Sequence, residues 1–409
     1  MGRLRLKGNN LPAVKRQNEA LIKEVVYKYA PISRSEIAEM LSLTPPTITT
    51  NISLLLKQGL LEECTDSAQE EEHALGRPPV KLNFVENAYY VIGVEVHPYQ
   101  TVITLLNLRG KEQSSARYPT ENTEYQNEIR VLAEQIRRVL AESGIAGEKI
   151  LGIGVGIPGF VKTKTGTVRK SILRSWNEKP IARELSELTG LPVLVENNAR
   201  VRAVGEELFG RELRPDTFAY FLISYGIACP LYVRNSILEG EQQEAGEAGH
   251  MVAVLNGPRC ATCGNDGCLE EVASERAVLK LVKEAIGKGK ETKIIDYCKT
   301  PESITIREVL KAQAAGDELA DQIIGTAITY LGAMLANIIN LVNPPLVIVD
   351  AFMMEYQKNR EDLLKETQSH IFGLYDEEVK IEFTAFSPYS GARGAAALAV
   401  KHFLMKGIL

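Results

Sequence analysis

The chain has 409 residues, with 47 Lys and Arg against 52 Asp and Glu, for a formal net charge of −5. At one domain per ~100–200 residues, this length predicts two to four domains. The acidic balance excludes a chain that binds polyanions along its whole length, and six cysteines are too few for a disulfide scaffold.

No targeting or membrane segment is predicted. The first residues are basic but no apolar core follows them, so we expect no secretory signal. Asn and Pro residues interrupt the most apolar late stretch, 331–350, which argues against a spanning helix. We therefore expect a cytoplasmic protein with reduced thiols and no membrane partner.

The basic residues are concentrated at the amino-terminal end. Residues 1–60 hold nine Lys and Arg against four Glu, a charge of +5, which leaves −10 on the other 349 residues. This asymmetry suggests a nucleic-acid-binding head on an acidic body. On charge alone, a solvated helical surface explains it equally well.

Three helices are predicted in this basic segment. The first carries an apolar face of Leu21, Ile22, Val25, Val26 and Tyr29 at helical spacing. A short helix over Ser35–Leu41 follows. The third begins at Thr44 as N-cap, with Pro45 at the first helical position, and ends before Gly59.

The third helix is predicted to read DNA, because one face offers small hydroxyls and an amide near its amino-terminal end, where phosphates and base edges can be contacted. The predicted contacts on this helix are Thr47, Thr49, Thr50 and Asn51. Between two short strands, 60–62 and 80–84, Gly76–Pro78 is typical of the wing of a winged helix-turn-helix. Arg77 can then reach a minor groove. An ordinary Gly-Pro turn is the alternative.

From Tyr89 onward the pattern alternates between strands and helices. A helix is predicted over Tyr125–Ser143. Strands are predicted over 90–96, 101–106, 150–155, 193–196, 219–224 and 346–349. This order indicates an α/β body of two lobes with a cleft between them.

Three cysteines lie close together after a histidine, in the spacing His250-x9-Cys260-x2-Cys263-x4-Cys268. Imidazole and thiolates at short spacings can surround one tetrahedral Zn²⁺, and in a reducing compartment metal binding is favoured over disulfide pairing. Four protein ligands would make the site structural. A loop with unrelated thiols is the alternative.

Together these features resemble one known family. The motifs that carry the resemblance are AGEAGHM at 245–251, CATCGNDGCLE at 260–270, GIPG at 156–159 and GRP at 76–78. They are similar to the ROK family of repressors, open-reading-frame proteins and sugar kinases, and within it to the xylose- and N-acetylglucosamine-type transcriptional repressors. The cysteine motif has one extra residue between its first two cysteines.

The resemblance implies an α/β fold: an actin-like ATPase (hexokinase-like) body of two lobes behind a winged helix-turn-helix head, with sugar in the cleft. It implies a head at 1–86, a smaller lobe at 87–196 plus 386–409, and a larger lobe at 197–385 with the zinc site and oligomerisation surface. The implied sugar contacts are Gly159, Asn197, Asn198, Glu247, His250 and Glu270. His250 would give one ring nitrogen to zinc and the other to the ligand. The alternative for Glu247 and Glu270 is a structural carboxylate that orients the cysteine loop, residues 260–268.

The sequence departs from the family's kinases in four segments. Asn198 stands where the resemblance puts the catalytic aspartate, and an amide cannot supply the general-base help worth roughly 10²–10⁴-fold. The phosphate and adenosine segments also lack the family's glycines, at Glu95–Pro98, Ser224–Pro230 and Asp350–Phe352. We therefore expect no enzyme activity.

The identity of the ligand stays open, because the position of a family asparagine that contacts sugar aligns near Ile172. A free hexose, a phosphorylated sugar, a disaccharide or no small molecule are all compatible with the motifs. We predict a DNA-binding regulator of sugar-utilisation genes, with double-stranded operator DNA and a sugar effector as partners. It would act as a dimer or tetramer that matches half-sites ~34–36 Å apart. The alternatives are a sugar kinase with an incidental head, and a regulator controlled by a protein partner.

Overall fold

The computed structural model describes residues 11–64, 80–120, 124–210, 212–373 and 379–406. The helices are α1 Leu11–Tyr29, α2 Arg34–Leu41, α3 Pro45–Lys57, α4 Tyr125–Ser143, α5 Ile181–Thr189, α6 Asn198–Phe209, α7 Glu270–Ala273, α8 Glu275–Gly287, α9 Ile306–Ala314, α10 Glu318–Val342, α11 Gln357–His370 and α12 Ser390–Ala399. The strands are β1 Ile32–Ser33, β2 Leu61–Cys64, β3 Lys81–Phe84, β4 Tyr90–Val96, β5 Gln100–Asn107, β6 Glu112–Pro119, β7 Ile150–Ile157, β8 Phe160–Lys162, β9 Thr167–Lys170, β10 Val193–Asn197, β11 Phe218–Ile223, β12 Ile227–Ala228, β13 Leu231–Val233, β14 Ser236–Ile237, β15 Leu346–Ala351 and β16 Lys380–Phe383.

Three helices and a small antiparallel sheet, in the order β1-β3-β2, form the head, and the predicted helices are present. The Ser33 hydroxyl accepts the Glu36 backbone N–H, and the Glu36 carboxylate accepts the Ser33 N–H at 2.7 Å, which defines the start of α2. Thr44 is the extended N-cap of α3 and Pro45 is its first residue. The predicted wing at Gly76–Pro78 lies outside the described residues.

The first lobe contains a five-stranded sheet in the order β10-β7-β4-β5-β6. Strands β4, β7 and β10 run parallel, while β5 and β6 extend the sheet as antiparallel neighbours. Helix α12 packs directly on this sheet because two glycines allow it. A Cβ at Gly93 would lie 1.8 Å from the Ala392 carbonyl oxygen, and one at Gly154 would lie 1.9 Å from that of Ala395.

The second lobe contains a sheet in the order β14-β13-β11-β15-β16, with β11 and β15 parallel and β12 paired to β11. The strands predicted around 219–224 and 346–349 are the two central strands of this sheet. Because the carboxyl ends of parallel strands and the loops after them meet at one edge, each lobe presents polar loop residues at such an edge.

By length and composition alone, α10 is the one helix among the described ranges that could cross a membrane. However, 56% of its most apolar window is buried inside the protein, where it packs on α7, α8, α9 and α11. Leu331, Leu335 and Ile339 on its inner face are fully buried. The helix ends at Asn343, a left-handed C-cap, and therefore serves as the central core helix of the second lobe.

The head and the first lobe share one continuous hydrophobic core. Ile22, Val26 and Leu82 of the head pack in the same cluster as Leu108 and Phe403 of the body. This contact corrects the predicted inner face of α1. Leu21 and Tyr29 are 38% and 46% exposed, whereas Tyr27, which the helical pattern did not select, is buried and donates its hydroxyl to the Leu108 carbonyl at 2.7 Å.

Candidate functional site

All six predicted sugar contacts line a single cavity of about 460 Å³. They are Gly159, Asn197, Asn198, Glu247, His250 and Glu270. Gly159 follows β7, and Asn197 and Asn198 lie where β10 ends and α6 begins. Glu247 and His250 belong to the segment between β14 and α7, and Glu270 is the first residue of α7. The structure therefore brings together, between the two lobes, residues that lie up to 111 positions apart (270 − 159).

The Asn197 side chain connects the start of α6 to the turn at Gly159 by hydrogen bonds. Its Oδ1 accepts the backbone N–H groups of Ala199 and Arg200, and its Nδ2 donates to the Gly159 carbonyl at 3.0 Å. Gly159 has φ +120°, and a Cβ there would lie 2.2 Å from the Lys170 carbonyl oxygen, so only glycine fits. The Asn197 amide oxygen is thus engaged as a helix cap, and a ligand could use only the remaining N–H.

Glu247 is the cleft carboxyl group that is free to bind a ligand. Among the described residues its carboxylate has no hydrogen-bond partner, and it lies largely buried in the cavity wall. Burial raises the pKa of Glu247 to about 7; the Arg200 charge opposes this rise, and the Glu270 carboxylate adds to it. Near neutral pH this group can therefore either donate a hydrogen bond to a hydroxyl or accept one from it.

Glu270 ties the cysteine loop to the segment at Ile227. One carboxylate oxygen accepts the Thr262 hydroxyl at 3.1 Å and the Arg276 guanidinium at 3.2 Å, and the other accepts the Ile227 N–H at 3.3 Å. A Cβ at Gly226 would lie 2.6 Å from this carboxylate. These contacts favour the structural role that the sequence left as an alternative for Glu270, although Glu270 also lines the cavity.

The predicted metal ligands lie together in a geometry that fits a tetrahedral ion. Ligand atoms of His250, Cys260, Cys263 and Cys268 all lie within 4.8 Å of one another. The Cys260 Sγ is 3.7 Å from His250 Nδ1, and the Cys263 and Cys268 Sγ atoms are 3.5 Å apart. Metal–ligand distances of ~2.0–2.3 Å imply tetrahedral edges of ~3.5–3.8 Å, so these four residues could hold a metal ion. Since Nδ1 faces the thiols, Nε2 is the ring nitrogen left for the cavity.

Arg202 is a residue near the cleft that the sequence reasoning missed. Its guanidinium contacts both carboxylate oxygens of Glu95, at 2.8 and 2.9 Å, and Asp350 Oδ2 at 3.0 Å. Burial lowers the pKa of Arg202, but the two carboxylates raise it overall. The Tyr220 hydroxyl also donates to Asp350, at 2.7 Å. Glu95 and Asp350 belong to two of the segments that depart from the kinases, and a buried ion cluster now joins them across the lobes.

The predicted DNA contacts on α3 do not all face solvent. Thr49 and Thr50 are exposed, and Thr47 is half-buried. Asn51 is only 4% exposed, and its Nδ2 donates to the Thr47 carbonyl at 2.8 Å. This placement contradicts the predicted contact for Asn51, because the side chain packs on the inner face of the head. Arg77 lies outside the described residues.

Comparison with known proteins bears directly on this arrangement. The family model described as "ROK family" matches residues 91–402. The chain belongs to the ROK family. The putative xylose repressor of Caldicellulosiruptor sp. (strain Rt8B.4) is 28% identical over 403 residues, which cover 97% of this chain and 98% of the repressor. The DNA-binding transcriptional dual regulator NagC of Escherichia coli (strain K12) is 26% identical over 350 residues, which cover 85% and 84%.

Solved structures support the two-lobed ROK fold. A ROK family transcriptional regulator described as a homologue of the E. coli MLC protein has a TM-score of 0.81 and 24% identity, covering 97% of this chain and 98% of its own. A ROK family glucokinase from Streptomyces griseus, solved with glucose and AMPPNP, has a TM-score of 0.66 and 24% identity and covers 76% of this chain. At these identities the likeness establishes the predicted fold alone.

Proposed function

We propose that this ROK protein is a DNA-binding transcriptional repressor of sugar-utilisation genes, controlled by a sugar or sugar derivative in the cleft. The observation that carries the proposal is that a helix-turn-helix head and a polar cleft belong to one packed molecule. The similarity to the putative xylose repressor of Caldicellulosiruptor and to NagC supports this function, because the former matches over 97% of the chain, head included. The protein would act in the cytoplasm as a dimer or tetramer.

The body has lost kinase activity. Asn198 supplies an amide where the family's kinases have a catalytic base, and this removes the group that would accept the proton of the sugar hydroxyl. Both carboxylate oxygens of Glu95 are paired with Arg202, inside the segment that corresponds to the first phosphate loop. A coupled ATP-consumption assay over a sugar panel tests this: we expect no turnover, and turnover that is lost in Glu247→Ala would overturn it.

The cysteine loop would hold a structural Zn²⁺. Three thiolates and one imidazole are the donor set that Zn²⁺ prefers, and four protein ligands leave no open position for water. The ion would hold His250 at the cavity wall with Nε2 toward the ligand, so that zinc binding and effector binding reinforce each other.

Helix α6 carries the effect of the ligand to the head. Its first residue, Asn198, lines the cleft, and Arg202 in its middle pairs with acidic residues of both lobes. At its last turn, the nearly buried Glu207 carboxylate lies 2.9 Å from Lys28 Nζ of α1 and 2.7 Å from Lys401 Nζ. Twelve helical residues span about 18 Å, so one rigid element joins the cleft to the head.

Footprinting of the purified full-length chain on duplexes selected from a random pool tests the proposal. We expect a specific footprint that a sugar or sugar derivative weakens. Thr50→Val should weaken specific binding at least about fivefold, because an exposed hydroxyl at α3 is lost. Thr326→Val is the matched control, since both threonines are exposed and donate to a carbonyl four residues earlier. The absence of any sequence-specific footprint would overturn the proposed function.

A further inference from the structure

One ion cluster connects a central strand of each lobe. Glu95 is the penultimate residue of β4 in the first lobe, and Asp350 is the penultimate residue of β15 in the second. Arg202 of α6 pairs with both carboxylates. The side chains of Arg202, Glu95 and Asp350 are 14%, 4% and 8% exposed. The cluster is therefore a buried ionic connection between the two sheets.

Every carboxylate oxygen of this ion cluster accepts a hydrogen bond. Arg202 donates to both oxygens of Glu95 and to Asp350 Oδ2. The Thr384 hydroxyl donates to Asp350 Oδ1 at 3.2 Å. Gly391 leaves the space that Glu95 needs, since a Cβ at Gly391 would lie 2.0 Å from the Glu95 carboxyl carbon. Because the guanidinium meets Glu95 with two parallel bonds, the pairing fixes direction as well as distance.

Helix α6, which carries Arg202, also packs on both sheets through small or apolar side chains. On the first-lobe side, Val201 fills the space beside Gly156 of β7, where a Cβ would lie 2.8 Å from Val201 Cγ2. On the second-lobe side, Ala199 and Ala203 belong to the hydrophobic cluster of β11. Apolar contact is non-directional, so these side chains hold the lobes together but do not by themselves fix the angle between them.

A second set of contacts between the lobes is exposed. In the β8–β9 hairpin of the first lobe, the Thr163 backbone N–H donates to Gln243 Oε1 at 3.3 Å. Arg169 of the same hairpin pairs with Glu244 at 2.7 Å, and these two side chains are 42% and 40% exposed. Exposed ion pairs contribute little to stability. The hairpin contacts would therefore separate if the lobes were free to rotate.

We propose that Arg202 is a positioning residue that sets the angle between the two lobes, and with it the width of the cleft, before any ligand binds. The cavity has one wall from each lobe, so the separation of Asn197 from Glu247 depends on this angle. A buried ion cluster can specify one arrangement even where it adds little stability. Loss of Arg202 leaves two buried carboxylates unpaired, and the lobes then rotate about α6 and part at the hairpin.

Hydrogen exchange of the ligand-free full-length protein, resolved to single residues by mass spectrometry, tests the proposal. Thr163 N–H reports the contact between the lobes, whereas Gly166 N–H, which donates to the Lys162 carbonyl at 2.8 Å, reports the hairpin itself. In Arg202→Met we expect Thr163 to exchange about tenfold faster, with Gly166 unchanged, because opening exposes the first amide and not the second. Arg202→Lys keeps the charge but not the planar fork, and should show a smaller increase.

Asp317→Asn is the matched control, because Asp317 and Glu95 are 4% and 3% exposed. The Asp317 carboxylate accepts hydrogen bonds from three residues of the second lobe, Thr292, Lys293 and Ala320. We expect this variant to lower the thermal midpoint and to leave exchange at Thr163 unchanged.

A double variant separates the angle between the lobes from stability. Glu95→Gln in the Arg202→Met background removes one unpaired buried carboxylate, so the thermal midpoint should recover in part. The directional pairing is still missing, so exchange at Thr163 should stay fast. Recovery of both together would show that Arg202 acts on stability alone and would overturn the proposal.

Neither DNA nor an effector enters this test, so its result is independent of the proposed function. Unchanged exchange at Thr163 in folded Arg202→Met would overturn the proposal, and so would an equal increase in Asp317→Asn. If Arg202→Met does not fold, Arg202→Lys decides: faster exchange at Thr163 supports the proposal, and exchange equal to that of the parent overturns it.

Discussion

At the residue scale, three side chains line the cavity and also make a structural contact. His250 turns Nδ1 toward Cys260 while it lines the cavity, and Asn197 caps α6 while its amide lies at the same wall. Glu270 joins the cysteine loop to Ile227. Because each of these groups is fixed by a neighbour, the shape of the cavity depends on these contacts as well as on the lining side chains.

Loss of one metal ligand should remove the ion and loosen the loop. We expect the purified protein to hold one zinc per chain by elemental analysis. Cys260→Ser should lose it and lower the thermal midpoint by about 5–10 °C, because metal binding contributes to the stability of the folded state. Cys298→Ser, which alters a cysteine outside the cluster, should keep both the zinc and the midpoint. Full metal content in Cys260→Ser would contradict the assignment.

Glu275 should make stability depend on pH. Burial raises the pKa of Glu275 to about 8, and the Asp350 carboxylate adds to the rise. Between about pH 4.5 and 8 the folded state therefore holds a proton that the unfolded chain has released, so the free energy of unfolding falls as pH rises. Glu275→Gln has no proton to release here. We therefore expect its free energy of unfolding, relative to that of the parent, to rise by roughly 1–3 kcal/mol from pH 5 to pH 8.

Denaturant unfolding at the two pH values measures this effect. Glu284→Gln, an exposed glutamate on the same helix, is the control and should track the parent at both values. If the difference in unfolding free energy between Glu275→Gln and the parent is the same at both pH values, Glu275 is ionised in the folded protein and the prediction is wrong.

At the element scale, α6 joins the cleft to the head. It packs against α12, where a Cβ at Gly205 would lie 2.8 Å from the Gly394 Cα, so the two helices are in close contact. Although burial raises the pKa of Glu207, the ammonium groups of Lys401 and Lys28 lower it below its ordinary value. The carboxylate is therefore charged when it pairs with the head, and α6 ends in a fixed ionic contact.

Breaking this contact should uncouple the ligand from DNA. We expect Lys28→Met to keep operator binding without effector but to reduce the effector-induced loss of affinity by about five- to tenfold, because a coupling free energy of ~1 kcal/mol is removed. Lys23→Met is the matched control. Lys23 also joins α1 to the body, through the Leu404 carbonyl at 2.7 Å, but not through α6. Anisotropy titrations measure operator affinity with and without effector in both variants. An effector response in Lys28→Met that equals that of the parent would exclude α6 as the connection.

At the scale of the whole molecule, the head is part of the folding unit of the first lobe. Phe84 and Tyr27 pack edge to face, Arg109 of the body lies over the Tyr27 ring, and Leu108 and Phe403 belong to the same cluster. Separation of the head would expose this apolar surface to water, at ~25 cal/mol per Å².

Removal of residues 1–86 should therefore destabilise the body. We expect the chain 87–409 to melt several degrees below the full-length protein and to self-associate, as measured by calorimetry and light scattering. The full-length protein should lack a separate transition for the head. A truncated body that is monodisperse and equally stable would contradict a shared core.

Much of the local structure could be predicted from sequence. Pro45 after Thr44 defines the start of α3, and buried alternation outlines the strands of both lobes, because caps and periodicity act over a few residues. The spacing of His250 and the three cysteines already indicated four residues that could hold a metal ion, and the motif glycines marked the turn at Gly159, where φ is +120°. These features depend on neighbours in the chain.

Only the tertiary structure decided which side chains are buried and paired. Helical spacing selected Tyr29 and passed over Tyr27, because the partner of Tyr27 is Leu108, 81 residues away. Arg202 pairs with Glu95 and Asp350, 107 and 148 residues away. Burial and ion pairing depend on which elements meet, and no local pattern encodes that.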